Sequence, residues 1–525
     1  MLSMSVSIRV KSSFCGGSGV LFAYVWSATV AGIEGVPVRV EVDVSGGLPG
    51  LEIAGLADAA VRESRHRVRS AVRNSGFEVP PSRITVNLSP ADLHKEGSQM
   101  DLAVAAGILA ASGQISSEGR LRRYMLLGEL ALDGTLRPVR GVLPMVISKA
   151  ADVDGVVLPR DNGGEVSFLR GLDLRAAGSL SDVIRFIQGS EDLPGVDCSA
   201  EHAYQTEPYV DTFDIRGQSA AKRALEVAAS GGHNMLLSGP HGVGKSMLAR
   251  ALPGILPDLS HEEALEVTRI QSVSGNLLPG SGLVRRRPFR APHHTVTATA
   301  LIGGGSVPRP GEITLAHRGV LFLDELPEFA PAVLNAMRQP LEDGSVAITR
   351  SRGTYRFPCR FVLVSAMNLC PCGRFGSEEQ DCSCTPRSRR NYAARVSGPF
   401  LDRIDIYLSV SRVPPADLVR TGGERSSAVK ERVMAARKRQ ERRLEGTRIT
   451  CNAEMGAREL GTLVSFSASA RRLALGAVKK MGLSTRGYYR VLRVASTIAD
   501  LEDSPRIEEE HVAEALSYRQ TTLHV

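Results

Sequence analysis

The chain has 525 residues, 64 basic against 56 acidic for a formal charge of +8, with 43% hydrophobic and 23% charged. That length points to about three domains, and the composition excludes disorder and collagen-like fibre. No run approaches the ~18 apolar residues of a membrane helix, and so small a charge excess means that nucleic-acid affinity depends on where the cations sit.

Residues 1–20, rich in Ser and Gly, read as a disordered extension. The apolar stretch that follows is not an export signal in pattern, because Tyr24 and Trp26 alternate within it and a second alternating run at 36–44 follows, as in a first hairpin. From 21 to 188 the pattern is mixed. Residues 83–90 put Ile84, Val86 and Leu88 on one strand face, 57–75 and 102–111 are helical, and 126–139 turns as a hairpin at Asp133-Gly134. One α+β domain is expected there. Residues 189–212, with Pro194 and Pro208 and no periodicity, read as a linker.

From 213 to 410 short apolar strands at 234–237, 320–323 and 361–365 alternate with helices, the layout of an α/β nucleotide-binding domain. After 411 four helical patterns follow, at 426–444, 468–481, 486–501 and 507–518, so 411–525 is expected to be a helical domain. The chain as a whole is thus expected to be multidomain α/β.

Gly239-Pro240-His241-Gly242-Val243-Gly244-Lys245-Ser246 satisfies GxxxxGKS between a strand and a helix expected to start at Met247 and stop before Pro253. In such a loop backbone N–H groups surround the phosphates of ATP, Lys245 reaches the β and γ phosphates, and Ser246 ligates Mg²⁺. The strand 320–323 ends in Asp324, placed to hold Mg²⁺ through water, and Glu325, placed to orient and deprotonate the attacking water; Glu328 reads as a solvated acid. Asn368, after the strand 361–365, could position the same water or simply cap the strand. Residues 344–355 read as a hairpin with Arg350 and Arg352 at its tip, which touch phosphates or merely keep the tip solvated.

Together these motifs resemble the AAA+ ATPases, and Gly398-Pro-Phe-Leu-Asp402-Arg403-Ile-Asp405 resembles the GPxLDRxD signature of their magnesium-chelatase-like branch. That resemblance implies that Arg403 is a finger entering the neighbouring subunit's site, with Arg395 as competitor. It also implies that the segment 486–493 is the sensor 2 of a helical lid, with Arg486 or Arg493 reaching the nucleotide, and that the 344–355 hairpin points into a ring's pore. Pro288 to His294, the Gly-rich stretch 301–310, 321–329 and the final Tyr518-Arg519 are similar to the ComM/YifB family over about residues 21–520. Membership would imply a homo-hexameric ATPase that binds single-stranded or branched DNA and drives branch migration in natural transformation and recombination. A motor remodelling a protein partner is the alternative. The N-terminal domain resembles the Lon proteolytic domain, of the ribosomal S5 domain 2 type, but Gln99 stands where the nucleophile belongs, Ser98 is one position early, and 137–147 lacks a lysine. A non-proteolytic module is expected.

Of eight cysteines, Cys370, Cys372, Cys382 and Cys384 crowd into fifteen positions, where four thiols can reach one structural Zn²⁺ or stay free. The uneven placement speaks against a disulfide scaffold and for a reducing cytoplasm, with no membrane association expected.

Overall fold

The computed structural model describes residues 21–56, 58–197, 209–277, 280–305, 308–350, 353–376, 381–414 and 423–519. Arg352 lies outside these, as does the extension expected at 1–20. The chain forms two compact units that divide between residues 202 and 203. Among the described residues no helix is long and apolar enough to cross a membrane.

The N-terminal unit is built on a seven-stranded mixed sheet, in the order Gly50–Ala54, Arg83–Ser89, Glu34–Ser45, Leu21–Ala31, Tyr124–Leu126, Gly155–Pro159 and Asp173–Ala177. The first hairpin pairs Leu21 with Val44 through Ala31 with Glu34, and its alternation buries Ala23 opposite Val42, Val25 opposite Val40 and Ser27 opposite Val38. Helix Asp101–Ala111 is buried along its whole length, which explains its unbroken apolar sequence. Its Asp101 carboxylate, 2.9 Å from Arg67 on helix Ala59–Asn74, is pushed up to about 6 by burial despite that partner.

The expected linker starts later than residue 189. Leu193 is buried in the core, Val196 N–H donates to the Leu174 carbonyl (2.9 Å), and the Pro194 carbonyl accepts from Ala176 N–H (2.9 Å). Residues 194–196 therefore pair beside the outermost strand through backbone bonds, which need no side-chain periodicity.

The C-terminal unit is built on a five-stranded sheet, all parallel, in the order Phe289–Arg290, Val320–Leu323, Val362–Met367, Met235–Ser238 and Ile406–Ser409. Helices Ser426–Arg443, Ala468–Met481, Thr485–Leu501 and Glu509–Ser517 follow. They do not make a separate core: Met235, Val364 and Ile406 of the sheet share one buried cluster with Val433, Ala474, Val491 and Val512 of the helices. The boundary expected at 410/411 thus divides sheet from helices without dividing the core. The helix after the P-loop spans Lys245–Ile255, two residues earlier at its start than expected and past Pro253 at its end. Proline is tolerated there because it lies in the last turn, where a single i→i−4 bond is lost.

The helices are pinned by Asp500, which is buried and accepts from both terminal nitrogens of Arg443 (2.7 and 2.6 Å) and from Asn452 Nδ2 (2.8 Å). Asp500→Ala would leave a mostly buried guanidinium without its counter-ion, held only by Asn452 Oδ1 (2.9 Å), so we expect a loss of roughly 3–5 kcal/mol in denaturant unfolding of this unit. A change under about 1 kcal/mol would contradict that role.

Candidate nucleotide site

Residues 239–244 turn at the C-terminal edge of the parallel sheet, between strand Met235–Ser238 and helix Lys245–Ile255. At position 239 only glycine fits, since a Cβ would stand 2.1 Å from the Val410 carbonyl oxygen. Gly244 caps the helix at φ +92°, in the left-handed region that favours glycine, with open space where its Cβ would be. The loop also contains Pro240, His241, Gly242 and Val243.

Lys245 is 8% exposed, and its ammonium donates to the carbonyls of Gly239 (2.8 Å) and Pro240 (2.7 Å) and to Asn368 Oδ1 (3.0 Å). Burial lowers its pKa to about 8 against the attraction of Asp324 and Glu325. A cation enclosed by neutral oxygens, its charge disfavoured by burial, is a site short of an anion, and a phosphate fits it. Ser246 Oγ donates to Asp324 Oδ2 at 2.8 Å, bringing together a hydroxyl and a carboxylate, hard oxygens of the kind that hold Mg²⁺.

Glu325 follows in the left-handed region at φ +53°, with His294 Nδ1 3.4 Å from its Oε2. A non-glycine residue there is strained, and strain of this kind clusters at functional sites. His294 was not a candidate from sequence: it sits on the loop after Phe289–Arg290, and only the sheet order brings it to Glu325. Glu328 is 3.0 Å from Arg395, so it is paired and not simply solvated.

The remaining arginines lie elsewhere. Arg403, Arg486, Arg490 and Arg493 line a cleft of about 1070 Å³ together with Asn234, Gly319 and Val362, residues at the starts of the parallel strands. The cleft is therefore at the N-terminal edge of the sheet, opposite this chain's own P-loop. Arg486 and Arg493 do not converge on Lys245 and Ser246 as a lid reaching its own nucleotide would require. Arg403 is 8% exposed and donates through Nε to the Arg338 carbonyl (3.0 Å), through Nη1 to the Pro399 carbonyl and through Nη2 to Glu342 (2.6 Å). Its ion-pair partner is Glu342, a residue no motif marks, and not Asp402 or Asp405. Arg486 is 64% exposed at its side chain, 3.9 Å from the same Glu342. Arg395, by contrast, is tied to Glu328 on the P-loop side.

The 344–355 hairpin forms as strands Ser345–Arg350 and Gly353–Pro358, with Arg350 exposed and its Nε donating to the Gly305 carbonyl at 3.2 Å. Cys370, Cys372, Cys382 and Cys384 bring their sulfurs within 4.8 Å of one another. In the N-terminal unit Gln99 Nε2 donates to Thr29 Oγ1 (3.1 Å) and the Glu96 carbonyl (2.6 Å), Ser98 Oγ is bonded to Glu129, and Lys149 Nζ to the Val153 carbonyl (2.7 Å). Ser98 has a carboxylate where a Ser–Lys dyad needs an amine.

This P-loop and parallel sheet are those of a magnesium-chelatase-type protein: the family model "Magnesium chelatase, subunit ChlI" matches residues 211–418, "Subunit ChlI of Mg-chelatase" 40–162, and "Magnesium chelatase, subunit ChlI C-terminal" 423–519. The uncharacterized protein YifB of Escherichia coli is 44% identical over 492 residues, covering 93% of this chain and 95% of that one. The competence protein ComM of Haemophilus influenzae is 42% identical over 502 residues, covering 95% and 97%. The magnesium-chelatase 38 kDa subunit of Rhodobacter capsulatus is 27% identical over 183 residues, 31% of this chain and 51% of that one. The chain belongs to the ComM/YifB family of magnesium-chelatase-like proteins.

Above about pH 8 the unliganded Lys245 is neutral, yet a phosphate needs it charged, so nucleotide binding at pH 9 should take up a proton and weaken as pH rises, by up to about tenfold per unit. Calorimetry in buffers of different ionisation heat reads the uptake directly, and none at pH 9 would exclude a Lys245 titrating there.

Proposed function

We propose that the protein is a Mg²⁺-dependent ATP hydrolase of the AAA+ type that works as a homo-hexameric ring and moves along single-stranded or branched DNA. Bound Mg·ATP supplies the phosphoryl group to be transferred. Lys245 and the N–H groups of Gly242, Val243 and Gly244 would hold its phosphates, Ser246 and Asp324 its metal, and Glu325 and Asn368 would orient the attacking water. His294, 3.4 Å from Glu325, is placed to orient its carboxylate.

The observation that carries the ring is the placement of Arg403 and Arg486 across the sheet from their own P-loop. Arginines useless to one subunit's nucleotide are useful to the next, and a phosphate competes well with Glu342 for a guanidinium. The same placement favours Arg403 over Arg395 as the finger, because Arg395 is held on its own subunit's nucleotide side. The C-terminal helices then act as a lid toward the neighbour, with Arg486 and Arg493 contributing in trans.

DNA as the track is supported by the exposed Arg350 at the hairpin tip and by the competence role in the name of a relative 42% identical. Arg352 is included with it from its place in the sequence alone, two positions after Arg350. The N-terminal unit is read as a Lon-like domain turned to binding or assembly, since Gln99 and the Ser98–Glu129 pair leave no dyad.

Lys245→Ala should lose nucleotide binding, while Glu325→Gln should bind ATP and turn over at least ~100-fold more slowly. Arg403→Ala and the exposed Arg486→Ala should bind ATP yet hydrolyse it poorly, and each should regain activity when mixed with Lys245→Ala subunits. Absence of that complementation would remove the trans assignment. For the track, the deciding measurement is ATPase rate with and without single-stranded and branched DNA, alongside strand displacement from a labelled four-way junction. Stimulation should fall steeply with salt and weaken in Arg350→Ala/Arg352→Ala. No response to either DNA would turn the reading to a motor that remodels a protein.

A further inference from the structure

We infer that Cys370, Cys372, Cys382 and Cys384 hold one structural Zn²⁺ whose task is to brace the P-loop, an inference that rests on the nucleotide-site reading above. Four thiolates about 2.3 Å from one tetrahedral metal lie about 3.8 Å from each other. The Sγ–Sγ distances are 3.3 Å for Cys370–Cys372, 3.7 Å for Cys372–Cys382 and 3.6 Å for Cys370–Cys382, with Cys384 in the same group. The Phe375 N–H donates to Cys370 Sγ at 3.3 Å, the kind of outer bond that fixes a thiolate ligand's orientation. With all four positions taken by sulfur, no place is left for water or substrate, so the metal is structural.

What it would hold in place follows from the chain path. The strand Val362–Met367 ends at Asn368, whose Oδ1 accepts from Lys245. Cys370 and Cys372 follow at once, and then Gly373, whose carbonyl accepts from His241 N–H at 2.9 Å. The first thiol pair is therefore enclosed between two hydrogen bonds to the P-loop, one to its lysine and one to its backbone. Gly373 is at φ +73°, and a Cβ there would press on His241 Cβ at 3.3 Å. The second pair leads into helix Pro386–Ala393, capped by Thr385, and Arg389 of that helix stacks on Phe375 at 4.1 Å. One metal would thus lock the loop after Asn368 and a basic helix against the phosphate-binding turn.

The test uses the full chain purified without chelator. Metal analysis should find about one Zn²⁺ per chain. Cys382→Ser/Cys384→Ser should lose it, and so should exposure of the folded wild type to a strong chelator, which serves if the variant does not fold. In either zinc-free form, amides of residues 239–246 should exchange faster, and a fluorescent ATP analogue should bind about tenfold or more weakly. Gly373→Ala should keep zinc yet show the same two changes, separating the brace from the metal. Zinc-free wild type with full nucleotide binding, a pair of disulfides in place of metal, or zinc removal without change at 239–246 would each overturn the inference. Lys245→Ala should keep its zinc. If that variant instead bound ATP normally, the nucleotide-site reading would fail while the metal result stood.

Discussion

The C-terminal unit depends on a clasp between Asn234 and Asp405 beneath the parallel sheet. The Asn234 N–H donates to Asp405 Oδ2 (3.2 Å), and its carbonyl accepts from the N–H groups of Asp405 and Ile406 (2.9 and 3.0 Å). Its side chain accepts from Leu363 N–H (2.9 Å) and donates to the Arg403 carbonyl (3.1 Å). One residue thereby sets the register of three strands whose far ends carry the P-loop, Asn368 and the strand leading to Val410. Asp405 can serve as a buried carboxylate because, although burial opposes its charge, His233 and then Arg490 and Arg493 hold its pKa below the ordinary range. A protonated Asp405 would lose an acceptor and leave Arg490, 3.3 Å away, without its counter-ion.

From this clasp the two faces of the proposed chemistry are separated by the length of a strand. Parallel strands all point one way, so whatever follows them gathers at one edge and whatever precedes them at the other. Lys245, Ser246, Asp324, Glu325 and Asn368 all follow strands. Arg403 precedes one, and Arg486 and Arg490 are brought beside it by the helices packed beneath the sheet. On the proposed reading a subunit built this way would present the nucleotide at one edge and guanidinium groups at the other, which suits head-to-tail rings.

The parts of the site that were legible in the sequence are those the local chain encodes. The P-loop needs strand, glycine turn and helix in immediate succession, and Asp324 and Glu325 mark themselves by ending an apolar run. The four cysteines are near neighbours in the chain. What was not legible depends on long-range packing: Glu342, Arg403 and Arg486 meet in one cleft although about 140 residues separate the first from the last. His294 reaches Glu325 only because Phe289–Arg290 pairs beside Val320–Leu323. Residues 194–196 join the N-terminal sheet by backbone bonds that leave no apolar pattern, and the helices after 411 read as a domain because each is amphipathic, while the surface they cover belongs to the sheet's own core.

The arginine cleft also makes assembly and nucleotide binding one equilibrium on the proposed reading. Burial first, and then the cations of Arg338, Arg486 and Arg490, lower the pKa of Arg403 against the single carboxylate of Glu342. Arg493 is depressed in the same way by burial and by Arg490, with Asp405 opposing. Around Arg403 an isolated subunit therefore gathers Arg338, Arg486 and Arg490 as neighbouring cations, with Glu342 as its ion-pair partner. The P-loop has the complementary shortage, an ammonium facing neutral oxygens. On that reading a triphosphate between two subunits would relieve both at once, its charge pairing with Lys245 on one side and with the guanidinium groups on the other. Because that relief exists only in the assembled, loaded state, nucleotide should draw subunits together by mass action, and hydrolysis, by removing the phosphate the finger holds, should loosen the junction where it occurred.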